Sequence, residues 1–499
     1  MKTEPKISLC LLVAGAAINW GAQHAGAFSL LGPYESWMTP TNGFQLVGDV
    51  GGPMNIGEGY RWNVPVVTYA FDTSFTAFFG SNGVAAVQSA IQILNNLPPA
   101  SQLDPSIYPL NSLGQNYTAN ALGLIDLKSE TLFLLLQQLG LASPQRFMFC
   151  VHDFSIAGGT TNVDIIVRNF DPLTLAPTTV LNGASYSSNL VWQTVGQMPR
   201  VFIYAVPMNP SYVNPAVADG VAGSSPGIFY TGLTRDDVGG WRYLLQTNNL
   251  NFETLLPDVH GVGVNSNNYV NLALRGGIDK ITFVQETMDP TTGLFFTPVT
   301  NQFTDTYVTN GILLQQQLER VSSRPDIVFS AYGSESNQVP VTVESSGASN
   351  WLNNAGLNGN PDLAGPGTIR PQVTIAVPKY GMNAIMITSD PNTVIQAGND
   401  RWASFNGSTN PPIIYSTGST GTGNPWRIYF SLLNTNYQPL RGGYFTWQLP
   451  VSLGTAVNLE SSTNLTNWTI LTTVINYGVP ILWEHLYSRP AGYFRVVPQ

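Results

Sequence analysis

Beyond Arg324 the chain never runs far before Gly, Pro, Asn or Ser interrupts it, and that punctuation restricts its last third to short strands. A helix needs an uninterrupted stretch of about ten residues or more. The runs available here, Val339–Glu344, Gln372–Val377, Ala384–Thr388 and Trp426–Phe430, are shorter and rich in β-type residues. Ser345–Gly367 and Ser416–Asn424 read as loops, because β-type runs flank both. The final segment alternates again at Tyr444–Trp447, Val457–Glu460, Trp468–Leu471 and Tyr493–Val497. An all-β architecture follows for this part of the chain.

Upstream the pattern is mixed. Arg61–Asp72 is β-branched and aromatic with Pro65 near its start, which predicts an edge or first strand. Val84, Val87, Ile91 and Leu94 fall on one helical face, so a helix is expected over Asn82–Leu97, stopped by Pro98-Pro99. A second helix is expected over Leu122–Leu139 and a third over Leu233–Leu245, where Asp236 and Asp237 complement the helix dipole. Arg146–Val151, Val163–Val167 and Val201–Val206 read as strands, and Ile312–Val321 has helical spacing. The expected organisation is multidomain: 1–27 a leader, 28–250 an α+β domain, 251–330 a connecting region with one helix, 331–440 a β-rich domain and 441–499 a β-sandwich module.

The leader carries a compartment. Lys2 and Lys6 precede an apolar run from Ile7 to Ile18, and Ala25-Gly26-Ala27 offers small residues for cleavage after Ala27. The run is too short to span a bilayer of about 30 Å, and no later stretch reaches about 18 apolar residues. A secreted or cell-surface protein without a transmembrane anchor is expected. Cys10 would leave with the leader, so Cys150 would be alone and no intrachain disulfide could form. Charged residues make up only 10% of the chain and the net charge is −9, which argues against nucleic-acid binding. Asn-x-Ser/Thr triplets at Asn116, Asn406, Asn464 and Asn467 carry little weight in a chain this rich in Asn and Thr.

Two segments resemble the matrixin branch of the metzincin metalloproteases. Val67-Thr68-Tyr69-Ala70-Phe71-Asp72 with the helix after it is similar to the family's opening strand and helix. Leu233-Thr234-Arg235-Asp236-Asp237-Val238-Gly239-Gly240-Trp241-Arg242-Tyr243-Leu244 is similar to its closing helix. The resemblance implies a metzincin-like α+β domain, but not its chemistry. Metzincins hold zinc through His-Glu-x-x-His-x-x-Gly-x-x-His. Here only His152, His260 and His485 follow the leader, far apart, and Trp192 to Gly227 contains neither His nor Glu. The C-terminal run Asn458–Trp468 with Tyr493–Val496 resembles small β-sandwich modules ending exported proteins of Verrucomicrobia-like bacteria, and the whole chain is similar to secreted proteins of that group.

The candidate chemistry is thin. Gly223-Ser224-Ser225-Pro226-Gly227 fits Gly-x-Ser-x-Gly, but Pro226 and the extended Ile228-Phe229-Tyr230 leave no helix after Ser225, so a loop is expected. Cys150 and His152 stand two apart on a predicted strand and would share a face, although a buried core cysteine needs no such partner. Asp153, Asp164, Asp171 and the Asp236/Asp237 pair are the acidic groups to weigh for calcium or for a carboxylate pair, and none has calcium-loop spacing. Trp351 and Trp402 lie amid Asn/Gly/Ser loops and are the candidates for a binding surface that stacks on sugars. No catalytic residue, metal ligand or cofactor is assigned. The expected function is non-enzymatic, a structural or binding protein whose partners are itself, as a homo-oligomer, or cell-surface glycans; the alternative is a secreted hydrolase, metallopeptidase or glycosidase. If a zinc cleft has been abandoned, Val201–Val206 should be extended and packed, with Asp219 an isolated loop carboxylate.

Overall fold

The structure, a computed structural model, describes residues 26–332 (save 47–48, 122, 158–159, 196–197 and 264–266), 366–379, 381–382 and 399–415, then 444–447, 456–462, 466–475, 481–484 and 493–498. Within them the chain is mixed α+β, with strands predominating. Residues 1–25 of the expected leader lie outside the described residues, as do Val339–Glu344, Ala384–Thr388 and Trp426–Phe430 and nearly all of the two expected loops.

Strand β1 (Val66–Phe71) leads directly into helix α1 (Thr73–Asn95). Asp72 caps the helix, its carboxylate accepting from the Phe75 N–H at 2.9 Å. Gly80 breaks the helical geometry (φ 60°), so α1 is two helical segments joined at a kink. The segment after Gly80 is the helix expected from Asn82, preceded by a helical segment from Thr73 that the apolar spacing did not show. Helix α2 (Leu127–Gln138) is capped by Asp126. It is shorter than expected, since Leu124–Asp126 is instead a strand. Buried residues line every side of α2, among them Leu132, Leu134, Leu135, Leu136, Ser129, Glu130 and Gln138, so it runs through the core. The chain then forms two long hairpins, β2 (Phe149–Ala157) with β3 (Thr160–Val167) and β4 (Ala184–Val195) with β5 (Met198–Pro207), before helix α3 (Arg235–Leu245).

Beyond α3 the strands that build the two main sheets, and one that pairs with Leu124–Asp126, are β6 (Asn251–Thr254), β7 (Val259–Gly261), β8 (Leu272–Arg275), β9 (Thr282–Gln285), β10 (Val299–Thr309), β11 (Ile312–Ser322), β12 (Ile327–Tyr332), β13 (Val373–Pro378) and β14 (Asn399–Ser404). Four of the strands form a parallel sheet in the order β9-β1-β12-β13. Strand β1 is therefore interior and not an edge. Pro65 precedes it, and its carbonyl still accepts from the Thr282 N–H at 2.8 Å. Packing of α1 on this sheet is aromatic: the Phe71 ring stands 5.1 Å from Phe75 and 5.4 Å from Phe329.

A second, antiparallel sheet has the order β6-β8-β10-β11-β7. Its presence corrects the helix expected over Ile312–Val321, which is strand β11, paired with β10 through Asn310-Gly311. Both turn residues have positive φ, 52° and 74°, as a two-residue hairpin turn requires. The divisions expected at 250 and 330 do not separate structural units, because the parallel sheet takes strands from both sides of each and Leu124–Asp126 pairs with β14. One compact unit reaches Thr420 and a second runs from Gly421 to Gln499. The second unit contains a two-stranded sheet (Tyr444–Trp447 with Ile481–Glu484) and a three-stranded one in which Ala456–Ser462 lies between Thr469–Ile475 and Tyr493–Pro498.

Candidate functional site

The residues singled out by sequence do not converge. Trp402 is 1% exposed on β14, in register with Ile125, and belongs to the core rather than to a binding surface. Trp351 and His485 lie outside the described residues. Cys150 and His152 do not share a face: a bulge in the β2–β3 pairing falls at His152, so Cys150 is buried and donates to the Phe147 carbonyl while His152 turns to solvent. Burial pushes the Cys150 thiol up to about 12, which keeps it protonated and unreactive. The bulge brings His152 Nδ1 to 3.0 Å from Asp164 Oδ2 on the surface, with the Trp37 ring 5.1 Å from the imidazole. Asp153 is exposed, and Asp171 accepts from the Leu173 and Thr174 N–H groups of its own turn. Ser225 follows a short helix (Val221–Ser224) and precedes a strand (Ile228–Tyr230), the reverse of a nucleophile elbow.

Asp236 and Asp237 begin α3 as expected, yet both are buried. Asp237 accepts from the Thr234, Val217 and Ala218 N–H groups and completes a capping box with Thr234. Asp236 Oδ2 accepts from the Asn182 N–H at 2.6 Å, whereas its Oδ1 is buried without a hydrogen-bond partner. Burial holds the Asp236 carboxyl well above the usual carboxylate range. Val201–Val206 is extended within β5, with Val201, Phe202 and Ile203 buried, as expected, though Tyr204 and Val206 are exposed. Asp219, in contrast, is not an isolated loop carboxylate: it accepts from Ser143 Oγ, the Gln145 N–H and Asn214 Nδ2, and burial raises it to about 6. On α2, burial pushes Glu130 to about 8. A small cavity beside α3 is lined by Phe28, Ala142, Pro144, Asp236 and Asp237 among others. These groups hold the core together and present nothing to a polymer. Among the described residues, no three His, Cys, Asp or Glu side chains gather as metal ligands would.

The surface with a distinctive pattern is the five-stranded sheet, whose inward face sets buried ion pairs among apolar residues such as Val259, Ala273, Tyr307 and Leu318, while its outward face carries an apolar row. Glu253 on β6 meets Arg61 at 2.7 Å, and Arg275 on β8 meets Asp305 on β10 at 3.0 Å. Arg61 and Arg275 also donate to the carbonyls of Leu244, Asn249, Glu253 and Val270. At the far end Arg320 on β11 pairs with Asp258 and Asp326; burial opposes its charge, but the two carboxylates outweigh burial and hold its pKa above the ordinary arginine value. Strand alternation then sends the row outward. Phe252 is in register with Leu274, Leu274 with Val308 and Val308 with Leu313, one row across β6, β8, β10 and β11. Phe252 is 62% exposed and Leu313 66%, with Leu272 beside the row at 53%. Farther along the same face come Thr306, Gln315, Thr304 and Gln317, with Gln317 donating to Thr304 Oγ1 at 2.9 Å. His260 and Glu319, 3.5 Å apart, are the ionisable pair at the distant end.

Sequence reasoning missed this face because reading β11 as a helix scatters Leu313, Gln315 and Gln317 around a cylinder. The available signal was Asn310-Gly311 between two runs containing outward apolar residues, the mark of a hairpin. Compared with known protein families, curated proteins and solved structures, the chain matches none.

Proposed function

We propose that this chain is an exported, non-enzymatic binding or structural protein of the cell surface or extracellular matrix, and that it binds through the outward face of its five-stranded sheet. The apolar row on that outward face carries the reading. Phe252, Leu272 and Leu313 are exposed there with the half-buried Leu274 and Val308 between them, and the ion pairs lie on the opposite side. An apolar row with few charges near it is the surface chemistry of an interaction site. In this reading the α+β part keeps a metzincin-like outline, from β1 and α1 to the capped α3, without that family's zinc motif.

The test exposes the mature chain, and the same chain with Phe252→Ser and Leu313→Ser, to isolated cell envelopes, to insoluble glycans and to itself. Retention of the parent chain by one of these, lost in the variant at unchanged melting temperature, is expected. A secreted hydrolase is the second reading, and His152 at 3.0 Å from Asp164 is the observation that favours it. Hydrolysis of peptide or glycan substrates that disappears with His152→Ala, or stoichiometric zinc lost with that substitution, would replace the first reading by the second.

A further inference from the structure

The partner of the outward sheet face can be named from its charge and its shape. We infer that it is a second copy of this chain, stacked face to face about a two-fold axis that runs along the strands midway between Leu274 and Val308. This rests on the outward face being the binding surface.

Charge is the first argument. The chain carries a net charge of −9, so most pairs of surfaces on two copies repel. The apolar row is free of that repulsion. The acids of its own strands, Glu253 and Asp305, point inward to Arg61 and Arg275. The outward carboxylate of β11, Glu319, sits beside His260 and accepts from Gln302, six residues or about 20 Å along the strand from Leu313. A second copy therefore closes over the row without burying a carboxylate. A charged partner would find no counter-charge there, and a glycan chain would find one aromatic ring, Phe252, rather than a run of them.

Shape is the second. The row crosses four strands and spans about 14 Å. The stated axis sets Phe252 over Leu313 and Leu274 over Val308, so each contact joins a larger side chain to a smaller one and the layer keeps an even thickness. An axis along the row would set Phe252 on itself and Val308 on itself, crowding one end and leaving a gap beside it. Pairing edge to edge is the weaker route, since the edge strands β6 and β7 have 4 and 3 residues.

The experiment measures the mass of the full mature chain by sedimentation from micromolar to millimolar concentration, for the parent and for Leu313→Glu and Phe252→Glu. A parent dimer that becomes a monomer in both variants, at unchanged circular dichroism, is expected. Chains carrying Phe252→Cys and Leu313→Cys, mixed and oxidised, should cross-link to each other far more than either does to itself. Preferred self-linking of Phe252→Cys would overturn the stated axis, and assemblies that grow beyond two would overturn closure. A parent that stays monomeric overturns the inference outright. If that monomer still binds envelopes or glycans through Leu313, the binding face stands and the partner is foreign. If Cys introduced at 313 in the monomer resists a thiol reagent, the chain covers the row itself and both readings fall.

Discussion

Glu130 illustrates what burial does to a single carboxyl in this core. Its ordinary pKa is 4.5 and burial raises it to about 8, so across that interval the folded chain keeps a proton that the unfolded chain has released. Stability is then fully present below about 4.5 and falls as pH rises toward about 8, at no more than about 1.4 kcal/mol per pH unit for this group. Asp219 adds to the slope only up to about pH 6. Denaturant melts of Glu130→Gln between pH 5 and 8 should show a flatter decline than the parent; an identical decline would mean that Glu130 is ionised in the fold. None of this was legible beforehand. Sequence placed Asp236 and Asp237 at a helix start correctly, because capping is local, but burial is set by the neighbours that folding supplies. The same limit applies to Trp402, whose loop-like surroundings in sequence conceal a core position in register with Ile125.

At the scale of elements, the antiparallel sheet gives two contrasting expectations. Removing one member of a buried ion pair leaves the other uncompensated, so Glu253→Gln, which strands Arg61, should cost about 3–5 kcal/mol in a denaturant melt. The His152–Asp164 contact is instead exposed to water, and Asp164→Asn should change stability by less than about 1 kcal/mol. Equal losses would mean that solvent reaches Arg61. The turn offers a third check. Gly311 has φ 74°, and Gly311→Val should cost about 1–2 kcal/mol by forcing a β-branched residue into the left-handed region, with chemical shift changes confined to β10 and β11. Helices α1 and α3 could be anticipated because their signals lie within a few turns: apolar spacing, caps and stop residues. Strand β11 could not be separated from a helix by spacing alone. Its Leu, Gln and Glu residues favour helix locally, and pairing with β10 along 11 residues overrides that preference.

The whole molecule depends on strands that meet from distant parts of the chain. No local signal in Val66–Phe71 says that its neighbours are Thr282–Gln285 and Ile327–Tyr332, which is why sequence divided the chain where the sheet does not. A chain of residues 28–250 alone lacks β9, β12 and β13, and it should show no cooperative thermal transition, whereas a chain ending at Thr420 should retain the parent's. A cooperative melt of the shorter piece would restore the expected boundary at 250. The parallel sheet also has a consequence in time. Strand β1 is synthesised more than 200 residues before its first partner and some 300 before β13 completes the sheet, a wait on the order of ten seconds to a minute at ordinary ribosomal speed. Throughout that wait the sheet partners of Val66–Phe71 do not yet exist, and the flanking Pro65 and Asp72 are residues of the kind that disfavour misassociation of an apolar strand. The parallel sheet is thus completed only after Pro378 has left the ribosome, whereas the hairpins β2–β3 and β4–β5, whose strands are neighbours in sequence, are free to close while β1 still waits.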